Sequence, residues 1–375
     1  MAATVTNIRA KTVMMAVSTD LSTDERVFRM ANALHNAGYA VRVVGRERLA
    51  SAPLLARAYA QQRLSMWFGR GFIMYAELNV RLVWALFRAN SAILVANDMD
   101  TLPTMTLLAW LRRLPLAFDA HEYFSQVPEL QHRPRTRRFW HWLEGWLIPK
   151  ADVCYTVGPA LAERFSMLYG KPFASILNVP ATTLAPSSLV LRTPCHVIYV
   201  GALNQGRGLE ALLQALTKLP RYIATIVGYG DIEPQLHTLA ATLGISSQVV
   251  FTGNLTRDEY LPLLATASVG YSLLEPIGVS YQYSLSNKFF EYLAAGLPQL
   301  YPDLPEYMRL TSGHTIGLAL PVSAEAIAEA LTRLEDADVY GRMAAAAAEL
   351  SQCYTWAQEE RKLIGLYEAL DTKYR

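Results

Sequence analysis

At 375 residues the chain is long enough for about two domains, each with its own core. Apolar residues make up 52% and charged ones 18%, an ordinary globular balance, and a net charge of +2 gives no reason to expect nucleic acid as the partner. Cys154, Cys195 and Cys353 lie far apart, with neither a metal-ligand spacing nor a disulfide framework, which suits a reducing compartment.

The N-terminus lacks an apolar h-region followed by a cleavage site. The greasiest stretch, 71–87, is interrupted by Glu77, Asn79 and Arg81. It falls short of the roughly 18 uninterrupted apolar residues of a membrane span. These features predict a cytoplasmic protein.

In chain order, 12–17 reads as a strand, 25–37 as a helix stopped at Gly38, and 40–45 as a second strand. Strand, helix and strand in that order form a βαβ unit and imply a parallel sheet. Further strands are predicted at 92–97, 116–120, 153–157 and 175–179. Ligands of such sheets bind outside the carboxyl ends of the strands, where 18–26, 97–101 and 119–129 fall. His121 stands there between Asp119 and Glu122; it could bond sugar hydroxyls or polarise a reacting group, or be a loop histidine satisfied by backbone. Asp98 and Asp100 have the D-x-D spacing of a divalent-metal pair, but the favoured reading is Asp100 as the N-cap of a helix over 101–111.

Between the second and third of these strands, Arg57, Arg63, Arg70, Arg81 and Arg88 interleave with Trp67, Phe68, Phe72, Trp84 and Phe87, and 133–146 repeats the mixture. Either these aromatics are core under a basic coat, or 57–88 and 133–146 touch an anionic membrane.

The stretch 181–194 is rich in Ser, Thr and Pro and reads as a linker. The expected division is 1–185, 186–353 and a final helical segment, 354–375, that packs back on the first domain. Within 186–353 the strands are placed at 196–200, 222–228, 248–253 and 269–274, with a helix over 209–219. The loop of Gly201, Gly206, Arg207 and Gly208 can bring backbone N–H groups and a guanidinium to a phosphate, although it is neither a P-loop nor a Rossmann fingerprint. Gly228, Tyr229 and Gly230 follow the next strand, where bare backbone could pass a base or ribose. A short helix over 287–296 is capped by Ser286 or Asn287 and ended by Gly296. Lys288 and Glu291 share its first turn, as a solvated pair or as phosphate and ribose ligands at a helix N-terminus.

Together these residues resemble a known family. Tyr199-Val200-Gly201 with Arg207-Gly208, Gly228-Tyr229-Gly230, Phe251-Thr252-Gly253 and 287–296 followed by Leu297-Pro298 are similar to the retaining GT-B glycosyltransferases, family 4 in particular. In the N-terminal half, 21–26, 97–102 and His121-Glu122-Tyr123-Phe124 are similar to its bacterial cell-surface glycan branch.

The resemblance implies an α/β fold of two facing Rossmann-like domains with parallel sheets, the first on the acceptor side and the second holding a nucleotide sugar. It implies metal-independent, retaining transfer from a UDP-, GDP- or dTDP-linked sugar to a glycan or lipid-linked glycan in bacterial surface polysaccharide synthesis. The protein would be cytoplasmic or peripheral at the inner face of the membrane, with no cofactor and no nucleic acid partner. By motif position Arg207 and Lys288 meet the diphosphate, Glu291 the ribose and His121 the donor sugar, with His121, Arg207 and Lys288 catalytic. Gly201, Gly206, Gly228, Tyr229, Gly230, Phe251, Ser286 and Asn287 complete the nucleotide site. The chain departs from the motif at Tyr283, where a second glutamate is usual, and at Ala202, often basic. The donor sugar therefore falls to Ser280, Tyr281 or Tyr283. A nucleotide-sugar epimerase of the same fold and a non-catalytic nucleotide-sugar-binding subunit are the alternatives.

Overall fold

Apolar runs in this chain are short and nearly continuous, as expected of parallel strands covered on both faces. The computed structural model describes residues 11–22, 24–48, 51–89, 93–181 and 195–374, with the side chain of Glu129 excluded. Two compact units emerge: residues 1–177 with 357–375, and residues 178–356. The expected boundary at 185/186, and most of the expected linker, lie outside the described residues.

In unit 1, seven parallel strands run in the order β3-β2-β1-β4-β5-β6-β7. They are β1 (Thr12–Ala16), β2 (Ala40–Arg46), β3 (Ala60–Leu64), β4 (Ile93–Asn97), β5 (Leu116–Ala120), β6 (Val153–Thr156) and β7 (Phe173–Ser175). The helices between them are α1 (Glu25–Asn36), α2 (Gly71–Leu86), α3 (Leu102–Arg112), α4 (Pro134–Leu147) and α5 (Pro159–Tyr169). The strand order reverses between β1 and β4, so the crevice for a ligand opens at their carboxyl ends, beside Ser18 and Asp98.

Unit 2 repeats the plan with six parallel strands in the order β10-β9-β8-β11-β12-β13. These are β8 (Cys195–Val200), β9 (Tyr222–Val227), β10 (Val249–Gly253), β11 (Val269–Tyr271), β12 (Gln299–Tyr301) and β13 (Gly317–Ala319). Its helices are α6 (Leu209–Leu216), α7 (Glu233–Thr242), α8 (Arg257–Thr266), α9 (Gly278–Gln282), α10 (Asn287–Ala294), α11 (Pro305–Leu310), α12 (Ala324–Arg333) and α13 (Ala337–Cys353). Here the order reverses between β8 and β11, which places the Gly201 loop at the switch point.

The last helix, α14 (Trp356–Lys373), belongs to unit 1. The Tyr367 and Tyr155 hydroxyls meet at 3.0 Å in the core, Asp371 pairs with Lys11 at 2.7 Å, and the Leu177 N–H donates to Glu359 at 2.9 Å.

Several expected elements shift. Strand 175–179 is replaced by β7, which ends at Ser175, although the Ile176 N–H still donates to the Thr156 carbonyl. Strand 269–274 stops at Tyr271. The region read only as an aromatic and basic mixture holds β3 and α2. Asp100 is not the cap of α3: the N-cap is Thr101, whose hydroxyl donates to the Asn97 carbonyl, and the Asp100 side chain is buried.

Candidate active site

The site in unit 2 is built on α10. Phe289, Phe290, Tyr292 and Leu293 are buried and fix the helix against the sheet. The Tyr292 hydroxyl accepts from the Val200 N–H at 3.2 Å and lies 3.1 and 3.2 Å from the carbonyls of Ile198 and Tyr271, so one side chain ties α10 to both strands of the switch point. Its ring passes where a β-carbon on Gly270 would sit. Ser286 is the N-cap, but its side chain makes no capping bond; its own N–H donates to the Tyr307 hydroxyl at 3.1 Å. The first turn of α10 therefore presents N–H groups and the positive end of the helix dipole to any anion that arrives.

Lys288 projects from that turn and is only 7% exposed. Among the described residues its amine meets a ring and no carboxylate: Nζ sits 4.1 Å from the Tyr199 centroid. Burial, then the charge of Arg207, holds it well below the ordinary lysine range, and Glu291 only partly opposes them. A β-carbon on Gly201, at φ 147°, would lie 3.1 Å from Nζ, so the bare backbone there is what lets the amine approach the loop.

The two glycine loops run side by side. The Gly201 N–H donates to the Val227 carbonyl and the Leu203 N–H to that of Tyr229, at 2.9 and 3.0 Å. A β-carbon on Gly228 would fall 2.0 Å from the Gly201 oxygen, and one on Gly230 2.4 Å from that of Leu203. Neither position admits a side chain.

Gly206 accepts from the Glu275 N–H at 2.9 Å, which draws the segment before α9 onto the Arg207 loop. The Arg207 guanidinium lies 5.3 Å from the Tyr281 ring centroid, and its buried Nε has no partner among the described residues. Of the three residues expected to read the donor sugar, Tyr281 is brought beside Arg207. Ser280 is buried, and Tyr283 ends α9 half-buried. Tyr229 is exposed at its loop tip, while Phe251 lies on the edge strand with its ring 4.0 Å from that of His237.

Glu291 is oriented by two residues of α8 that sequence reasoning did not find. The Tyr260 hydroxyl donates to it at 2.7 Å, and Arg257 Nε lies 3.7 Å away. The only local sign was the capping box of Thr256 and Glu259, which fixes where α8 starts.

Unit 1 carries a second constellation. His121 lies between two carboxylates, with Nδ1 3.1 Å from Asp98 and Nε2 3.2 Å from Asp119. Its backbone N–H donates to Asp98 at 2.8 Å. Asp98 adopts a left-handed backbone, φ 64°, uncommon for a residue with a β-carbon. Asp119, wholly buried, accepts from Arg26 through Nε at 3.0 Å and Nη2 at 2.7 Å. Arg26 in turn donates to the Ile176 carbonyl at 2.9 Å.

Burial would push the imidazole down, but Asp98 and then Asp119 outweigh it and hold His121 well above its ordinary value. Burial likewise raises Asp119, yet Arg26 and then His121 hold it at about 2. Asp100 goes the other way: burial, then the charge of Asp98, pushes it up to about 7. The upward shift favours the imidazolium form of His121, which can donate and stabilise negative charge.

Two Rossmann-like units, each with its polar constellation at the carboxyl ends of parallel strands, define the GT-B class of glycosyltransferase fold. Solved structures share it. Sucrose-phosphate synthase from Thermosynechococcus elongatus superposes with TM-score 0.79 at 16% identity, covering 97% of this chain and 100% of that one. HepE of Anabaena in complex with UDP and glucose gives 0.75 at 17% identity, covering 95% and 99%.

Residues 25–178 match the family model described as Glycosyltransferase Family 4, and residues 194–336 match that of Glycosyl transferases group 1. The chain thus carries two successive glycosyltransferase domains, one in each half. A lipopolysaccharide core biosynthesis glycosyltransferase, LpsE of Rhizobium meliloti, is 32% identical over 154 residues, 39% of this chain and 42% of its own. The chain thus spans about two fifths of the length of the curated relatives it matches.

Proposed function

We propose that this protein transfers a sugar from a nucleoside-diphosphate sugar to a glycan or lipid-linked glycan in bacterial surface polysaccharide synthesis. The observation that carries the reading is Lys288, a buried amine that makes no ion pair among the described residues, between a helix N-terminus without a side-chain cap and two glycine loops. Arg207 and Lys288 receive the diphosphate, and with the dipole of α10 they stabilise the charge that develops as it leaves. Glu291, held by Tyr260 and Arg257, takes the ribose hydroxyls. Tyr281 is placed beside Arg207 to face the donor sugar. Unit 2 is then the donor side and unit 1 the acceptor side, with His121 as its charged catalytic group.

The reaction in this reading needs no metal and retains the anomeric configuration, through attack on the same face assisted by the leaving phosphate. LpsE supports the substrate class by its lipopolysaccharide assignment, and HepE by its complex with UDP and glucose. Among the described residues no helix is long and apolar enough to cross a membrane. The proposed location is cytoplasmic, with peripheral contact to the inner face of the membrane through 57–88 and 133–146.

Incubation with radiolabelled UDP-, GDP- and dTDP-sugars, with and without a lipid-linked acceptor, tests the reading. The expected result is release of diphosphate with label moved to the acceptor, unchanged by EDTA, and product NMR showing retained configuration. Interconversion of the sugar without release would identify an epimerase instead, and binding without turnover a regulatory subunit.

Glu291→Gln is expected to weaken nucleoside diphosphate binding on the order of ten- to a hundredfold, the value of a hydrogen bond to a charged group. Calorimetry checks this. The matching 2′,3′-dideoxy nucleotide is expected to bind the variant and the unsubstituted protein alike.

A further inference from the structure

In unit 1, α2 packs on α3 and α3 on α4, and the ring of Phe72 at the start of α2 meets that of Phe139 in α4 at 5.8 Å. The outward side of this layer is apolar. Trp84 and Phe87 on and just after α2, Trp110 and Leu111 on α3, and Trp142 and Trp146 on α4 are all exposed, Trp84 by 82% and Trp110 by 75%. Trp67, just before α2, is 85% exposed beneath the Arg81 guanidinium, 4.7 Å from its ring centroid. These aromatics are therefore not core, whereas Trp140 of α4 is buried.

The charges on the layer are one-sided. Its three helices contain two carboxylates, Glu77 and Glu144. Glu77 accepts from Arg81 and from the backbone N–H groups of Trp67 and Phe68, while Glu144 is buried and accepts from the Ser125 N–H and the Tyr169 hydroxyl. Arg88, Arg113, Arg135, Arg138 and Lys150, on these helices or just after them, are exposed, and the Lys150 amine lies 4.6 Å from the Trp146 ring centroid. A second copy docked face to face would set arginine against arginine across a two-fold axis. A surface of phosphate headgroups over acyl chains matches both the cations and the indole rings.

We infer that α2, α3 and α4 form one platform that docks on an anionic phospholipid bilayer, with Trp110 of α3 inserted alongside the tryptophans of the other two helices. The inference rests on the peripheral contact proposed above and adds α3, which lies in neither of the two segments named there.

Co-sedimentation of the full chain with phosphatidylcholine vesicles, with and without phosphatidylglycerol, tests it. Binding is expected to need phosphatidylglycerol and to weaken with salt. Trp110→Ala, at an exposed position that leaves the core intact, is expected to cut partitioning roughly tenfold, the value of one indole withdrawn from water. If Trp142→Ala loses binding while Trp110→Ala keeps it, α3 lies outside the platform and the inference falls while the peripheral contact stands. If no vesicle composition is bound even at low salt, the contact itself is wrong. A dimer in analytical ultracentrifugation that Trp110→Ala dissolves would overturn the inference in favour of a second copy.

Discussion

Replacing Lys288 by alanine is expected to lower kcat/KM by roughly thirty- to several-thousand-fold, the equivalent of about 2–5 kcal/mol for a phosphate charge left without its buried partner. The fold should survive the change, because among the described residues the amine makes no ion pair. Its pKa is lowered in the folded chain, so between the folded and unfolded values the unfolded chain binds more protons and stability rises with pH. At neutral pH the lysine therefore costs stability. Lys288→Met is expected to melt no lower than the unsubstituted protein while losing most of its activity; a large drop in melting temperature would mark a structural role. Diphosphate reverses the electrostatics by supplying the missing anion, so binding should take up a proton and weaken as pH rises.

Replacing Asp119 by alanine is expected to cost about 3–5 kcal/mol of stability, because it leaves the Arg26 guanidinium buried without its carboxylate. Tryptophan fluorescence during urea unfolding suits the measurement: of the seven tryptophans all but Trp356 lie in unit 1. The pH dependence follows from the two shifts. The contribution of Asp119 is present above its unfolded value of 3.8 and is lost as pH falls toward about 2. That of His121 is full below 6.5 and is lost as pH rises through its raised folded value. Asp119→Ala should lose the acid-side loss that belongs to Asp119. His121→Ala, which leaves Asp119 with Arg26, is expected to reduce turnover more than nucleotide affinity; equal loss of both would make His121 an ordinary binding residue.

The interior strands were legible because burial on both faces makes them apolar runs, and β5 lies over 116–120 as expected. The edge strand β3 was not legible: Ala-Gln-Gln-Arg-Leu is exposed or half-buried throughout and has no apolar period. Helix α2 was hidden for the opposite reason, since an exposed row of aromatics opposite a buried row of leucines erases amphipathicity. Asp100 looked like a cap because aspartate caps well. Its burial, within reach of Ser18, Arg46 and His121, depends on distant parts of the chain meeting, which local sequence does not record.

Site residues divide in the same way. Lys288 and Glu291 could be paired from their spacing on one helix. The Tyr199 ring that faces Lys288 and the α8 residues that hold Glu291 come from elsewhere in the chain. The Arg26–Asp119 pair joins residues 93 apart and has no local signature at all.

The central claim is that the glycine loops, Arg207, Lys288 and Glu291 form one nucleoside diphosphate site. Calorimetric titration of the full chain with UDP, GDP and dTDP and their monophosphates, in two buffers of different protonation enthalpy, tests it most directly. The expected result is one diphosphate bound far more tightly than its monophosphate, with proton uptake that disappears in Lys288→Met. Failure of all three diphosphates to bind, or equal affinity in Lys288→Met, would contradict it.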